Sequence, residues 1–249
     1  MIRLIFFSLG AILIAIATVF VYPIYRITRK RDQKKGDLLA LHFVQWGLKV
    51  WSVCAGSKVT YKGLEYLPED GDPVVYASNH RSLFDVILTY PVFKGRTGAL
   101  AKIELRSLPL VGWWIRTVYG VLIDRKDVRQ GLQCILQCID NLRNGISMLV
   151  YPEGTRGHVD GDLLPFHKGT FKVVTKSKVR VIPVAIVGTG DMFDDHRPFF
   201  KSRRAIIEFC EPVETCKLSP EELGFLQDTV HDIILERITA NLQELNAAE

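Results

Sequence analysis

The chain has 249 residues, of which 48% are hydrophobic and 24% charged, so it is long and apolar enough to bury a core and is not a disordered chain. Its 19 glycines and 11 prolines exclude collagen-like and low-complexity classes. The net charge of +5 sits at one end: residues 1–35 hold seven basic residues against the single acid Asp32, residues 36–249 carry a net −1, and a nucleic-acid partner is not expected, because its basic footprint belongs on the folded domain.

Leu4 to Tyr25 is a run of 22 residues without a charge. At about 1.5 Å per residue it matches the roughly 30 Å hydrocarbon core of a bilayer. Tyr22, Tyr25 and then six basic residues within 26–35 follow it. The positive-inside rule makes that flank cytoplasmic, so the run reads as an uncleaved membrane anchor rather than a signal peptide, with the body facing the cytoplasm. Residues 26–36 read as a basic linker ending at Gly36. Leu38 to Ala55 is apolar but holds His42, Gln45 and Lys49, which makes it a poor spanning segment. Its helical spacing suits an interfacial helix or a helix packed on the body, and a re-entrant pair of helices is a third geometry. The expected division is therefore 1–56 for membrane-anchoring helices and 57–249 for an α/β domain.

From residue 57 the pattern alternates. Pro73–Ser78, Gly98–Lys102, Val121–Asp124, Ile146–Tyr151, Val179–Val187 and Arg204–Phe209 read as strands. Pro183 within the fifth of these suggests an edge or a bulge. Leu83–Tyr90 and Phe171–Lys176 read as helices. Val128, Leu132, Ile135, Leu136, Ile139 and Leu142 recur at helical spacing, with Gly145 as the stop and Cys134 and Cys138 sharing one buried face. Ser219-Pro220-Glu221-Glu222 opens a last helix with a capping box. Strands alternating with helices predict an α/β fold with a single central mixed sheet flanked by helices.

Three segments carry chemistry. His80 and Asp85 stand five apart across a strand-to-helix turn, where a carboxylate can fix the imidazole tautomer and leave the other nitrogen as a base. A capping aspartate beside a satisfied histidine is the plainer alternative. No G-x-S-x-G element supplies a nucleophile, so the nucleophile is a hydroxyl of the substrate. Tyr151-Pro152-Glu153-Gly154-Thr155-Arg156 leaves a strand end, the usual ligand position in open α/β sheets. Gly154 permits close backbone approach, Thr155 and Arg156 can donate to a phosphate, and Glu153 can orient Arg156 or accept from a substrate hydroxyl. Asp124-Arg125 and Lys102 place further charges at strand ends, and Leu164 to Gly169 looks like a helix entry. The six histidines form no H-E-x-x-H or Cys/His cluster, and no Walker or Rossmann glycine loop is present, so no metal or cofactor is expected.

Four blocks in order then carry a resemblance. NHRSLFD (79–85), GVLIDR (120–125), YPEGTR (151–156) and VIPVAI (181–186), with LPFHKGTF (164–171) after the third, resemble the 1-acylglycerol-3-phosphate acyltransferases of the glycerolipid acyltransferase superfamily. The resemblance implies that His80 acts as general base on a glycerol hydroxyl and that Asp85 orients it. It implies that Glu153, Gly154, Thr155 and Arg156 bind the glycerol phosphate, with Arg125 and Lys102 adding charge. The donor is then an acyl thioester of coenzyme A or of acyl carrier protein, the acceptor is lysophosphatidic acid, and the product is phosphatidic acid at a membrane. A sibling with another lysolipid acceptor, a non-catalytic lipid-binding protein and a lipid hydrolase are the competing readings.

Overall fold

Alternate residues of the central strands face two apolar layers. Val74 and Tyr76 pack into one cluster, while Val75 and Ala77 pack into the other. A sheet covered on both faces needs strands apolar on both sides, which is why these runs are continuous rather than alternating. The computed structural model describes residues 2–247. Helices α1 (Ile2–Arg31) and α2 (Gln33–Ala55) come first. They are followed by β1 (Lys58–Lys62), β2 (Val74–Ser78), α3 (Phe84–Thr89), β3 (Thr97–Lys102), α4 (Val111–Thr117), β4 (Val121–Ile123) and α5 (Val128–Arg143). Then come β5 (Ser147–Val150), α6 (Lys168–Ser177), β6 (Arg180–Val187), β7 (Arg204–Phe209) and α7 (Pro220–Ala247). The seven strands form one mixed sheet in the order β1-β7-β6-β2-β5-β3-β4, with β7 antiparallel to β6. The N-terminal helices and α3 cover one face, and α5, α6 and α7 cover the other.

Pro183 lies in an interior strand, not at an edge: β6 has β2 on one side and β7 on the other. The neighbour accommodates it with a bulge. Pairing runs from Val187↔Ile206 to Val184↔Phe209 and resumes at Val181↔Val213, so the chain opposite has one residue more. The Pro183 carbonyl accepts from Cys210 N–H at 2.9 Å, and the N–H that proline lacks falls at that bulge.

The basic linker expected over 26–36 is helical instead. α1 runs to Arg31, and Asp32 is the N-cap of α2, its carboxylate accepting the Lys35 N–H at 3.0 Å. The two helices turn back on each other at once. Gly36 sits at the crossing, where a Cβ would come within 2.5 Å of the Arg29 Cα. Arg29 pairs with buried Asp37 at 2.9 Å, and at the far end Arg3 donates to the Ala55 carbonyl at 2.7 Å, a cation on a helix C-terminus. The hairpin rests on the body through α2: Leu41 and Phe43 are buried, and Gln45 donates to the carbonyls of Tyr90 and Phe93. Both helices are long and apolar enough to cross a membrane. The outer face of α1 is an exposed apolar stripe that includes Ile5, Leu9, Ile12, Ile16, Phe20 and Ile27.

On α5 the buried stripe is Cys134, Ile135, Cys138, Ile139 and Leu142, whereas Val128, Leu132 and Leu136 of the expected apolar set are exposed. The capping box of α7 is formed: Ser219 N–H donates to Glu222 at 2.7 Å, and Glu222 N–H donates back to the Ser219 hydroxyl at 3.3 Å.

Candidate active site

The ends of β2, β5 and β6 converge. Beyond β2, Asn79 clamps the chain to β6 through two 2.8 Å bonds, donating to the Ile186 carbonyl and accepting its N–H. His80 comes next, and α3 begins four residues later. Asp85 in the first turn of α3 folds back, so that its Oδ2 lies 2.8 Å from His80 Nδ1. The same oxygen accepts the N–H groups of Arg81 and Ser82 at 2.7 and 2.8 Å. Its Oδ1 accepts the Thr189 hydroxyl at 2.6 Å. Asp85 is fully buried, and these donors are what make a buried carboxylate tolerable. A carboxylate on Nδ1 holds the Nδ1–H tautomer and leaves the Nε2 lone pair free to take a proton. The imidazole stacks on Tyr151, with centroids 4.0 Å apart and planes at 23°. Burial pushes the Tyr151 phenol well above its usual pKa, so it is a neutral wall beside the base.

The block after β5 braces this pair. Glu153 is 2% exposed, and both its oxygens are taken by backbone: Oε1 accepts the His80 N–H at 2.6 Å and Oε2 accepts the Leu164 N–H at 2.9 Å. It is engaged with neither Arg156 nor open solvent. Burial raises its pKa, and the two amides offset part of that rise. Gly154 takes a left-handed φ of +68°, and a Cβ there would come within 2.6 Å of the His167 ring at the entry of α6. Gly157 N–H donates to the His80 carbonyl at 2.8 Å, so both backbone polar groups of His80 are tied to this block.

Thr155 and Arg156 are exposed. Arg156 pairs with Asp194 at 2.6 Å, and the Asp194 carboxylate also accepts from the Ser82 hydroxyl and the Leu83 N–H. Burial works against the Asp194 charge, but Ser82, Leu83 and Arg156 outweigh it and hold its pKa below the usual range. Arg81, in the middle of the first block, is buried and turned away from the imidazole. It pairs with Asp195 at 2.5 Å and with Asp160 at 3.4 Å. Burial outweighs that cation for Asp160, whose pKa is pushed up to about 6.

Lys102 ends β3 and Arg125 follows β4, at the same end of the parallel strands as His80. They stand beyond β5, two and three strands from β2, so at about 4.8 Å per strand they lie roughly 10 and 15 Å to the side. Lys102 is exposed and pairs with Glu104 at 2.9 Å, and Arg125 is exposed. Thr189, two residues beyond β6, joins the His80–Asp85 pair through Asp85 with no sequence motif to mark it. Its signal is positional, since a hydroxyl directly after a central strand faces the neighbouring strand end.

A histidine–aspartate pair at the strand ends of a mixed α/β sheet is an arrangement that can take a proton from a hydroxyl. Residues 58–187 match the family described as Acyltransferase, and the chain belongs to that family. It is 37% identical over 161 residues to a 1-acyl-sn-glycerol-3-phosphate acyltransferase of Chlamydomonas reinhardtii, a match that covers 62% of this chain and 46% of that relative. It is 30% identical to the bovine 1-acyl-sn-glycerol-3-phosphate acyltransferase alpha, covering 72% of this chain and 62% of that protein. The match thus spans less than two thirds of the length of either relative. The crystal structure of the 1-acyl-sn-glycerophosphate acyltransferase PlsC of Thermotoga maritima superposes with a TM-score of 0.82 at 29% identity, over 96% of this chain and 94% of that one.

Proposed function

We propose that the protein transfers a fatty acyl group from an acyl thioester to the sn-2 hydroxyl of 1-acylglycerol-3-phosphate, giving phosphatidic acid. The observation that carries this reading is the 2.8 Å bond from His80 Nδ1 to an Asp85 carboxylate held by further donors, in a chain of the acyltransferase family. His80 Nε2 takes the hydroxyl proton as the oxygen attacks the thioester carbonyl carbon. The C–O bond forms, the C–S bond breaks, and the imidazolium returns its proton to the departing thiolate. No acyl-enzyme is formed, and no residue need change its charge for longer than the step.

Thr155, Arg156 and the backbone at Gly154 bind the acceptor phosphate, with Arg125 and Lys102 adding positive potential from the neighbouring strand ends. Glu153 acts through His80 and not on substrate, because both of its oxygens are occupied by backbone amides. The apolar stripe of α1 supports a membrane-bound protein that meets its lipid substrate at the interface. The basic residues at the turn between α1 and α2 support a body facing the cytoplasm.

The test is acyl transfer by the full chain in mixed micelles, with acyl-CoA and acyl carrier protein thioesters supplied in turn. Formation of phosphatidic acid that depends on lysophosphatidic acid supports the proposal. Thiol release that is the same without acceptor means hydrolysis, and transfer only to another lysolipid means a different acceptor; either result refutes it.

A further inference from the structure

One cavity lies away from His80. It has a volume of about 720 Å³ and lies between the basic end of α1 and α4, with Arg26, Arg29, Lys30 and Arg116 as its cations and Tyr22 and Trp113 among its aromatic walls. Tyr119 on its rim lies two residues before β4, so the cavity sits at the N-terminal ends of the parallel strands, whereas His80 follows the C-terminal end of β2. The six residues of β3 alone separate those two ends by roughly 20 Å. The cavity is therefore not part of the catalytic site.

Only one of its four cations has a carboxylate partner among the described residues. Arg29 is paired with Asp37, whose other oxygen takes the Tyr119 hydroxyl. Arg26 lies over the Tyr22 ring at 5.8 Å, with its Nη1 3.2 Å from the phenol oxygen. Among the described residues no carboxylate comes within ion-pair distance of Arg26, Lys30 or Arg116, and no acid lines the cavity. Trp113 meets Tyr22 edge-on at 4.7 Å, an amphipathic pair of the type enriched at the headgroup level of bilayers. Ile27, at the end of the apolar stripe of α1, is exposed one helical turn before Lys30. An anion in this cavity would have apolar surface running away from it along the helix.

We propose that this cavity is a second lipid site, which binds the phosphate-bearing headgroup of an anionic membrane phospholipid while the acyl chains follow the α1 stripe. The site orients the protein on an anionic bilayer and takes no part in acyl transfer, so it is read without turnover. It rests only on the membrane half of the proposed function.

The experiment is co-sedimentation of the full chain with phosphatidylcholine vesicles, with and without phosphatidylglycerol. Two double variants of equal charge are compared, both on exposed side chains near the same end of the hairpin. Lys30→Gln with Arg116→Gln empties the cavity of its free cations, and Arg31→Gln with Lys35→Gln removes charge outside it. At the usual contribution of a basic residue near an anionic surface, the outside double should lose up to about 30-fold in binding to anionic vesicles. The cavity double loses its direct contacts to the phosphate as well and should bind at least about tenfold more weakly than the outside double. An equal loss from both doubles would overturn the cavity and leave a diffuse basic surface. Soluble glycerophosphoglycerol should displace the protein from the vesicles, and inorganic phosphate at matched ionic strength should not. Displacement by phosphate alone would overturn the lipid headgroup as the ligand. Wild type that binds neither vesicle refutes the membrane reading itself, whereas wild type that binds both equally refutes only the cavity.

Discussion

Replacing Glu153 by glutamine separates two roles that the same residue could have. The carboxylate accepts two backbone N–H groups, from His80 at 2.6 Å and from Leu164 at 2.9 Å, and it is 2% exposed. A glutamine has one acceptor oxygen, so whichever way its amide turns, one of the two N–H groups faces an NH₂ group with no water to replace the lost bond. A buried donor left unpaired costs about 1–3 kcal/mol. A value of about 2 kcal/mol corresponds to a fall in Tm of about 4–8 °C for a chain of this size. One of the two donors is the backbone of His80 itself, so the imidazole shifts as well. A displacement of the order of 1 Å in a catalytic group costs about 100-fold in rate. Thermal unfolding and steady-state acyl transfer, measured on the same preparation of Glu153→Gln, check both numbers. The expected result is a lower Tm and a kcat reduced by about 10- to 100-fold, with the acceptor KM little changed. An unchanged Tm with a raised acceptor KM would refute the bracing role and make Glu153 a substrate contact.

Further outcomes follow from the same geometry. Asp85→Asn should stay folded, since the amide NH₂ can face the Thr189 hydroxyl, while kcat falls about 1000-fold because the imidazolium loses about 4 kcal/mol of charge stabilisation. A variant with more than a tenth of wild-type kcat would contradict this. Thr189→Val removes the 2.6 Å bond to Asp85 Oδ1 and should lower kcat about tenfold, with Thr189→Ser restoring it; failure of the serine to rescue would show that the methyl packing mattered instead. The raised pKa of Asp160, about 6 against an ordinary 3.8, means that the folded state holds this proton more tightly than the unfolded chain. Its contribution to stability is therefore fully present below pH 4 and lost as the pH rises through 6. Measured against Asp160→Asn, the wild type should lose up to about 3 kcal/mol between pH 4 and pH 7, and a pH-independent difference between the two proteins would refute the assignment.

Much of this architecture is legible in the sequence because local pattern and burial agree. The buried strands are short apolar runs ended by turns, and α7 announces itself through Ser219-Pro220-Glu221-Glu222. What escapes is set by distant partners. β1 (KVTYK) is a half-polar edge strand whose pairing with β7 lies far along the chain, and α4 (VGWWIRT) is too short to show a helical period. The charge run at 26–36 looks like a linker, yet it is helix on both sides of Asp32: Asp32 caps α2, Gly36 lets the two helices close on each other, and Arg29 finds its partner in Asp37 of the second helix. Pro183 signals a bulge correctly, but the extra residue lies in the strand opposite. At the site, the spacing of His80 and Asp85 is readable because only a turn can bring positions five apart together. The partners of Glu153 are not readable, since backbone amides leave no mark on a sequence. Val128, Leu132 and Leu136 follow the helical period of α5 without being buried, which periodicity alone cannot distinguish.

The central claim is that His80 Nε2 takes the acceptor proton in a direct transfer, and His80→Ala tests it most directly. The measurement is kcat for phosphatidic acid formation at saturating lysophosphatidic acid and acyl thioester, on protein whose unfolding transition matches wild type. Loss of the general base should lower kcat by about 100- to 10,000-fold while acceptor binding persists. A His80→Ala protein that transfers acyl groups at a tenth of the wild-type rate or faster would contradict the account.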